Sequence, residues 1–154
     1  MRKRVLALAV GPLLVASLAI QLVPYGRAHD NPPVISEPQW DSPRTRELFF
    51  RTCGDCHSNE TRWPWYSNIA PISWLVQRDV DEGRAACNVS EWGQAKQDCG
   101  DSAETLAEGS MPPRSYVLLH PSARPDAAER DALIQGLLAT FGGEDEKRES
   151  SSRR

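Results

Sequence analysis

The sequence carries almost no surplus of either charge: 18 Lys and Arg stand against 21 Asp and Glu, a formal net charge of −3. Proteins that neutralise nucleic-acid phosphates show a clustered basic excess, and its absence argues against a nucleic-acid partner. Methionine is nearly missing, since Met111 is the sole one beyond the initiator, and histidine is limited to His29, His57 and His120. Aliphatic residues are scarce outside one N-terminal block, although apolar residues make up 40% of the chain. The chain of 154 residues therefore holds one modest domain with a thin core, which needs support from something besides its own side chains.

What is present is Cys53-Gly54-Asp55-Cys56-His57. The C-x-x-C-H spacing is the attachment signal for a c-type haem. On a helical turn the two thiols lie along one side, where they can add to the two vinyl groups of one haem edge, and the histidine offers the iron an imidazole nitrogen. A buried haem also supplies the apolar body that the thin core lacks. Cys87 and Cys99 remain. They close a disulfide loop if the domain lies in an oxidising compartment, with a stabilisation of about 3 kcal/mol in the chain-entropy picture. Two buried thiols are the plain alternative. A zinc site from all four cysteines is the rival, but the second pair has the wrong spacing and His57 would go unused.

The compartment is read from the N-terminus. Arg2, Lys3 and Arg4 precede a mostly apolar run from Val5 to Val23, which as helix would reach about 28 Å, close to one hydrocarbon core. The basic start puts the N-terminus in the cytoplasm and exports the rest of the chain. Residues 1–27 thus read as an uncleaved signal-anchor crossing the inner membrane once, with the domain in the periplasm. A cleavable signal peptide, which would release the domain, is the competing reading. Residues 28–41, with Asn31-Pro32-Pro33 and Glu37-Pro38, read as an extended tether, and His29 within it as a solvated side chain rather than a ligand. Residues 42–143 form the globular domain, and the charged, serine-rich residues 144–154 a disordered tail.

Within the domain every regular element reads as helix. Ser42-Pro43 starts one that runs through Arg44 to about Cys53 with Leu48 and Phe49 on its apolar face. Pro71 to Glu82 makes a second, with Gly83 ending it, and Ala103 to Glu108 a short third. Asp126 with Glu129 opens a fourth that ends at Gly142-Gly143 and carries Leu133, Ile134, Leu137, Leu138 and Phe141 on one face. Directly after His57 comes Ser58-Asn59-Glu60-Thr61-Arg62-Trp63-Pro64-Trp65-Tyr66, and then Ala70-Pro71-Ile72-Ser73-Trp74. Together with Glu82-Gly83-Arg84, Asn88-Val89-Ser90-Glu91-Trp92, Met111-Pro112-Pro113, Tyr116 and His120-Pro121, this pattern resembles the bacterial haem-binding domain family of small cytochrome c-like proteins. The resemblance implies one covalently held haem c in an all-α domain outside the cytoplasm. By likeness to small cytochromes c, the first and last helices of the domain should cross, with Leu48 and Phe49 against Leu137 and Phe141. By the same analogy the Pro71 carbonyl is the expected acceptor for His57 Nδ1.

For the other face of the iron the candidate is Met111. Its thioether suits haem iron, and it sits in a Gly/Pro loop rather than on an apolar helix face, which weakens the alternative of a core gap-filler. His120 is the runner-up. Arg84, Trp92 and Tyr116 are candidate contacts for the haem propionates. With both axial positions filled, single-electron transfer to a redox partner protein is the expected function rather than catalysis, with peroxidase-like activity as an alternative. A haem sensor in which Met111 gives way to a ligand, and a thiol-redox or zinc module without haem, are the alternatives.

Overall fold

The structure is a computed structural model that describes residues 2–94 and 98–152, with side chains for residues 10–94 and 98–142. Residues 95–97 of the Cys87–Cys99 loop and the last two residues of the expected tail lie outside the described residues. The elements are helical throughout: α1 Arg2–Ala19, α2 Pro43–Thr52, α3 Gly54–His57, α4 Ile72–Ala86, α5 Ser102–Glu108, α6 Arg114–Leu119 and α7 Ala127–Ser152, joined by short 3₁₀ turns. Among the described residues the extended pairing amounts to one isolated bridge, Ser36 to Glu91. The all-α expectation is met.

The chain divides into two units, residues 1–30 with 63–79, and residues 31–62 with 80–154. The first contains α1, whose 18 residues include three basic ones at its start and Pro12 within it. Among the described residues, no helix is long and apolar enough to cross a membrane. The physical reason is length: once the basic start is set aside, the apolar part of α1 spans only about 22 Å at about 1.5 Å per residue, and a 3₁₀ turn at Ile20–Leu22 comes after it. Gln21 in that turn donates to the Ala70 carbonyl at 2.8 Å and accepts from the Ala70 N–H at 3.0 Å. His29 is half-buried rather than free in solvent: it stacks on Trp63 with ring centroids 4.7 Å apart and bonds Ser67 through Nε2. Trp65 is 76% exposed.

The second unit is built on the crossing of α2 and α7. Ser42 accepts the Thr45 N–H at 3.1 Å with Pro43 at the first helical position, as the sequence indicates. Asp126 and Glu129 exchange backbone-to-carboxylate bonds at 2.8 and 3.3 Å, the expected capping box. Leu48, Phe49, Leu133, Leu137 and Phe141 share one core cluster, and the Phe49 and Phe141 rings meet edge to face at 6.3 Å. The expected crossing is therefore present. What the apolar pattern does not announce is its closest point, where a Cβ on Gly136 would collide with the Thr45 side chain. Trp40, at the end of the expected tether, caps the cluster against Phe49 at 5.1 Å and Phe141 at 5.8 Å. The tether is extended but held: Ile35 and Ser36 donate to the Ser90 carbonyl, and Trp92 N–H donates to the Ser36 carbonyl.

Two helix ends differ from expectation. Gly83 does not end α4, which continues to Ala86. Gly142-Gly143 do not end α7, which runs on to Ser152. Two interior glycines cost about 2 kcal/mol together, and the glutamates, lysine and arginine beyond them are good helix formers, so the weak stop is overrun.

Gly136→Ala should cost about 1–3 kcal/mol in urea unfolding. Combined with Thr45→Ala, the loss should fall short of the sum of the two single losses, because the smaller side chain at position 45 removes most of the collision that the alanine at 136 creates. A second expectation concerns Glu129, which accepts from Arg51 at 2.9 and 2.5 Å and from Arg44 at 3.1 Å. The Arg51 guanidinium, then the Asp126 backbone, hold its carboxyl at about 2, below the ordinary 4.5. A depressed folded-state value means a contribution that is complete above the ordinary value and lost as pH falls toward 2. Melting temperatures of wild type should thus drop more between about pH 5 and about pH 3 than those of Glu129→Gln.

Candidate haem-attachment site

The attachment motif begins at Cys53, the break between α2 and α3, and runs through α3. Cys53 N–H still donates to the Phe49 carbonyl at 2.7 Å, and both Cys56 and His57 N–H groups donate to the Cys53 carbonyl at 3.1 and 3.0 Å. Cys53, Cys56 and His57 thus stand on one continuous turn. Ser58 closes it by donating its hydroxyl to the Gly54 carbonyl at 2.7 Å. Helix α4 lies against this turn at Gly83, where a Cβ would sit 2.5 Å from the Cys56 carbonyl oxygen and 2.9 Å from the Cys56 Cβ. Glycine at that position serves close approach, which is why it lies inside the helix rather than after it.

That approach brings the end of α4 to the histidine. His57 Nδ1 pairs with the Cys87 carbonyl at 3.0 Å. The expected acceptor, the Pro71 carbonyl, instead takes the Trp74 and Leu75 N–H groups at 3.1 and 3.4 Å. The reason is the usual geometry of a helix start: that carbonyl is consumed by the first turn of α4, whereas a carbonyl just past the end of a helix has no intrahelical partner. With Nδ1–H donated, the neutral imidazole carries its lone pair on Nε2, the nitrogen a metal takes. Burial pushes the His57 pKa below 6.5, against the backbone bonding of Cys87 and Gly83, and so favours the neutral, ligating form.

The cysteines divide as the sequence suggests. Cys87 and Cys99 form a disulfide, with Cα atoms 5.1 Å apart, and Cys53 and Cys56 remain outside any disulfide. A four-cysteine zinc site is thereby removed, and among the described residues no group of three or more His, Cys, Asp or Glu is arranged to hold a metal ion. Burial pushes the Cys53 thiol up to about 12, with the charge of a Cys56 thiolate a further cause. A redox-active Cys-x-x-Cys pair has its thiol lowered, the opposite direction.

Asp55, inside the motif, carries no functional signal in the sequence. It is 8% exposed and accepts the Arg62 N–H at 3.1 Å, Arg62 Nε at 3.0 Å, and the Tyr116 hydroxyl at 2.6 Å. Tyr116, a candidate propionate contact, is thus committed to Asp55, and its phenol is raised by burial first and by Asp55 second. Arg84, another candidate, donates to the Ser58 carbonyl at 2.9 Å and to Thr61 Oγ1 at 2.9 Å, ordering the loop after His57. Trp92, the third, stacks on Phe141 at 5.2 Å. Their bonds and stacking are within the protein.

Met111 lies in the loop between α5 and α6 and is 42% exposed. Gly109, with φ 74°, turns α5 off in the left-handed region, and the Ser110 and Met111 N–H groups both donate to the Thr105 carbonyl. His120, at the far end of α6, stacks on Tyr116 with centroids 4.3 Å apart and bonds the Tyr116 carbonyl through Nδ1. Both candidate distal ligands therefore flank the short helix that Asp55 holds. A cleft of 410 Å³ beside the motif is lined by Arg46, Phe50, Arg51, Asp55, Glu60 and Arg62, a charged lining unlike a porphyrin pocket.

Two thiols outside any disulfide and a neutral imidazole with its outer nitrogen fixed by a carbonyl, on one turn, suit a haem and its iron. Fold and site together define a helical haem-binding protein. The chain matches the haem-binding domain family over residues 15–139 and belongs to it. No curated protein and no solved structure matches it.

Gly83→Ala places a methyl group against backbone rather than against a flexible side chain, so α4 must retreat from Cys56. Its haem-free chain should unfold at lower urea by about 1–3 kcal/mol, and the His57 to Cys87 bond should weaken with it, read by faster exchange of the imidazole N–H in NMR.

Proposed function

We propose that the protein is a mono-haem c-type cytochrome that passes single electrons on the periplasmic side of a bacterial inner membrane. Cys53 and Cys56 would carry the haem as thioethers, His57 would bind the iron through Nε2, and Met111 would be the second axial ligand. The observation that carries the reading is the His57 bond to Cys87, since it fixes the ligating tautomer beside the two thiols outside the disulfide. When bound, the haem supplies an iron that cycles between ferric and ferrous states with little change of shape. The chain's own residues orient the imidazole, keep it neutral, and hold the Met111 loop between two helices.

The Cys87–Cys99 disulfide supports export, because such bonds persist outside the reducing cytoplasm. The basic start of α1, with exposed Leu13, Leu14, Val15 and Leu18 beyond it, supports delivery to the membrane. The electron partner would be another redox protein there. The exposure of Met111 favours one second reading, a haem sensor in which the thioether gives way to a small ligand.

Full-length protein made with the c-type maturation machinery should give a pyridine haemochrome spectrum of covalent haem that survives acid–acetone extraction, and an extractable or absent haem would sink this reading. Met111→Ala should lose the far-red band of methionine on ferric iron and show a lower reduction potential. His120→Ala should keep both. Carbon monoxide binding to the ferrous wild type would favour the sensor.

A further inference from the structure

Cys87 faces two ways. Its carbonyl receives the His57 Nδ1–H at 3.0 Å, and its side chain is bonded to Cys99. We propose that the Cys87–Cys99 disulfide sets the electron richness of the His57 imidazole by holding the Cys87 carbonyl on Nδ1, and so tunes the reduction potential of the iron; this rests on the reading of His57 as axial ligand.

The carbonyl belongs to the C-terminal end of α4, since Cys87 N–H donates to the Gly83 carbonyl at 2.9 Å. Carbonyls at a helix C-terminus lack intrahelical partners and carry the negative end of the helix dipole. A ligand imidazole that donates to such an acceptor is a more basic donor at its other nitrogen. More electron density at the iron favours ferric over ferrous, and the potential falls. The strength of this effect depends chiefly on how the Cys87 carbonyl points at Nδ1, with the Gly83 carbonyl of the same helix end a second backbone partner of the ring.

Hydrogen bonds alone fix the neighbouring segment, not that direction. Val89 N–H donates to the His57 carbonyl at 3.0 Å, Asn59 N–H to Ser90 Oγ at 2.9 Å, and Asn88 Nδ2 to Asn59 Oδ1 at 2.8 Å. These hold residues 88–90 beside residues 57–59. The peptide plane that carries the Cys87 carbonyl turns about the Cys87 Cα–C and Asn88 N–Cα bonds, and those three hydrogen bonds do not grip it directly. The disulfide opposes that motion from the core side, where Cys87 is 4% and Cys99 2% exposed. Asp98 N–H adds a bond to the Ala86 carbonyl at 3.1 Å, so the Asp98–Cys99 stretch of chain covers the end of α4 at two successive residues. Cys87 and Cys99 are thus positioning residues: neither need touch the haem, and both act through His57.

The test replaces Cys87→Leu together with Cys99→Ala, which keeps the core apolar and leaves the position 87 carbonyl in the backbone. Cys99→Ala alone serves as the second variant should the pair fail to fold. In the holoprotein the reduction potential should shift upward while the far-red methionine band stays. In the haem-free full chain the His57 Nδ1–H should exchange with solvent faster than in wild type, in ¹⁵N NMR. An unchanged potential with unchanged exchange in a folded variant overturns the proposal, because the bonds of residues 88–90 would then suffice. A downward shift overturns it too. Should the wild-type chain hold no covalent haem, the functional reading and the effect on potential fall together. The exchange measurement then still decides whether the disulfide holds the Cys87 carbonyl on His57, and an unchanged rate there overturns that as well.

Discussion

Helix α4 approaches the attachment turn so closely that a side chain at position 83 would meet the Cys56 backbone, and the placement of His57 depends on that contact. Were α4 farther away, the Cys87 carbonyl beyond its last turn could not reach Nδ1, and a buried imidazole N–H would be left without an acceptor at a cost of about 1–3 kcal/mol. Nor would Arg84, one residue beyond Gly83, reach the Ser58 and Thr61 oxygens that shape the loop after the histidine. One absent methyl group thus fixes the His57 tautomer, its orientation and the path of the chain away from it.

The second constraint is the buried carboxylate of Asp55. A charge this buried must be fully bonded, and it is: a guanidinium, a backbone N–H and a phenol surround it. Because the phenol comes from α6, the charge does more than satisfy itself. It ties the attachment turn to the segment that begins just after Met111. Arg51 with Glu129 does similar work between α2 and α7, but nearer solvent, where such pairs add little to stability by themselves. The burial of Asp55 is what makes its tie matter.

Local signals are legible in the sequence, and contacts are not. Ser42-Pro43 and the Asp126/Glu129 pair foretell two helix starts because capping is decided within one turn of chain. The stripe of Leu133, Leu137 and Phe141 foretells its partners Leu48 and Phe49, since apolar faces must meet. The same reasoning fails at Gly83 and Gly142-Gly143, where glycine reads as punctuation. At Gly83 its use is tertiary, at a helix contact that no local pattern encodes, and at Gly142-Gly143 the propensity of the residues beyond outweighs it. Gly136 escapes notice for the first of these reasons. Analogy misplaces the acceptor for His57 at Pro71, whereas the free carbonyl at the far end of α4 depends on how the helix docks. Asp55 is invisible in a motif defined by its outer residues, and Trp40 sits in a tether that composition marks only as extended.

The two ties to the attachment turn share a further property. The disulfide fixes Cys99 to the residue whose carbonyl holds His57, and Tyr116 fixes α6 to Asp55 in the same turn. The chain from Cys99 to Tyr116, which contains α5 and Met111, is therefore pinned at both ends to the turn bearing the thiols and the imidazole. Between the pins, Ala103 and Leu106 sink into the core with α7, and Arg130 closes the end of α5 by donating to the Leu106 and Ala107 carbonyls. The few residues from Gly109 to Pro113 that join α5 to α6 are themselves tied back by the Ser110 and Met111 bonds to the Thr105 carbonyl. A loop confined in this way would lose little conformational freedom in the proposed binding of iron by its thioether, so the strength of such a bond would depend on where the ends are held as much as on sulfur itself.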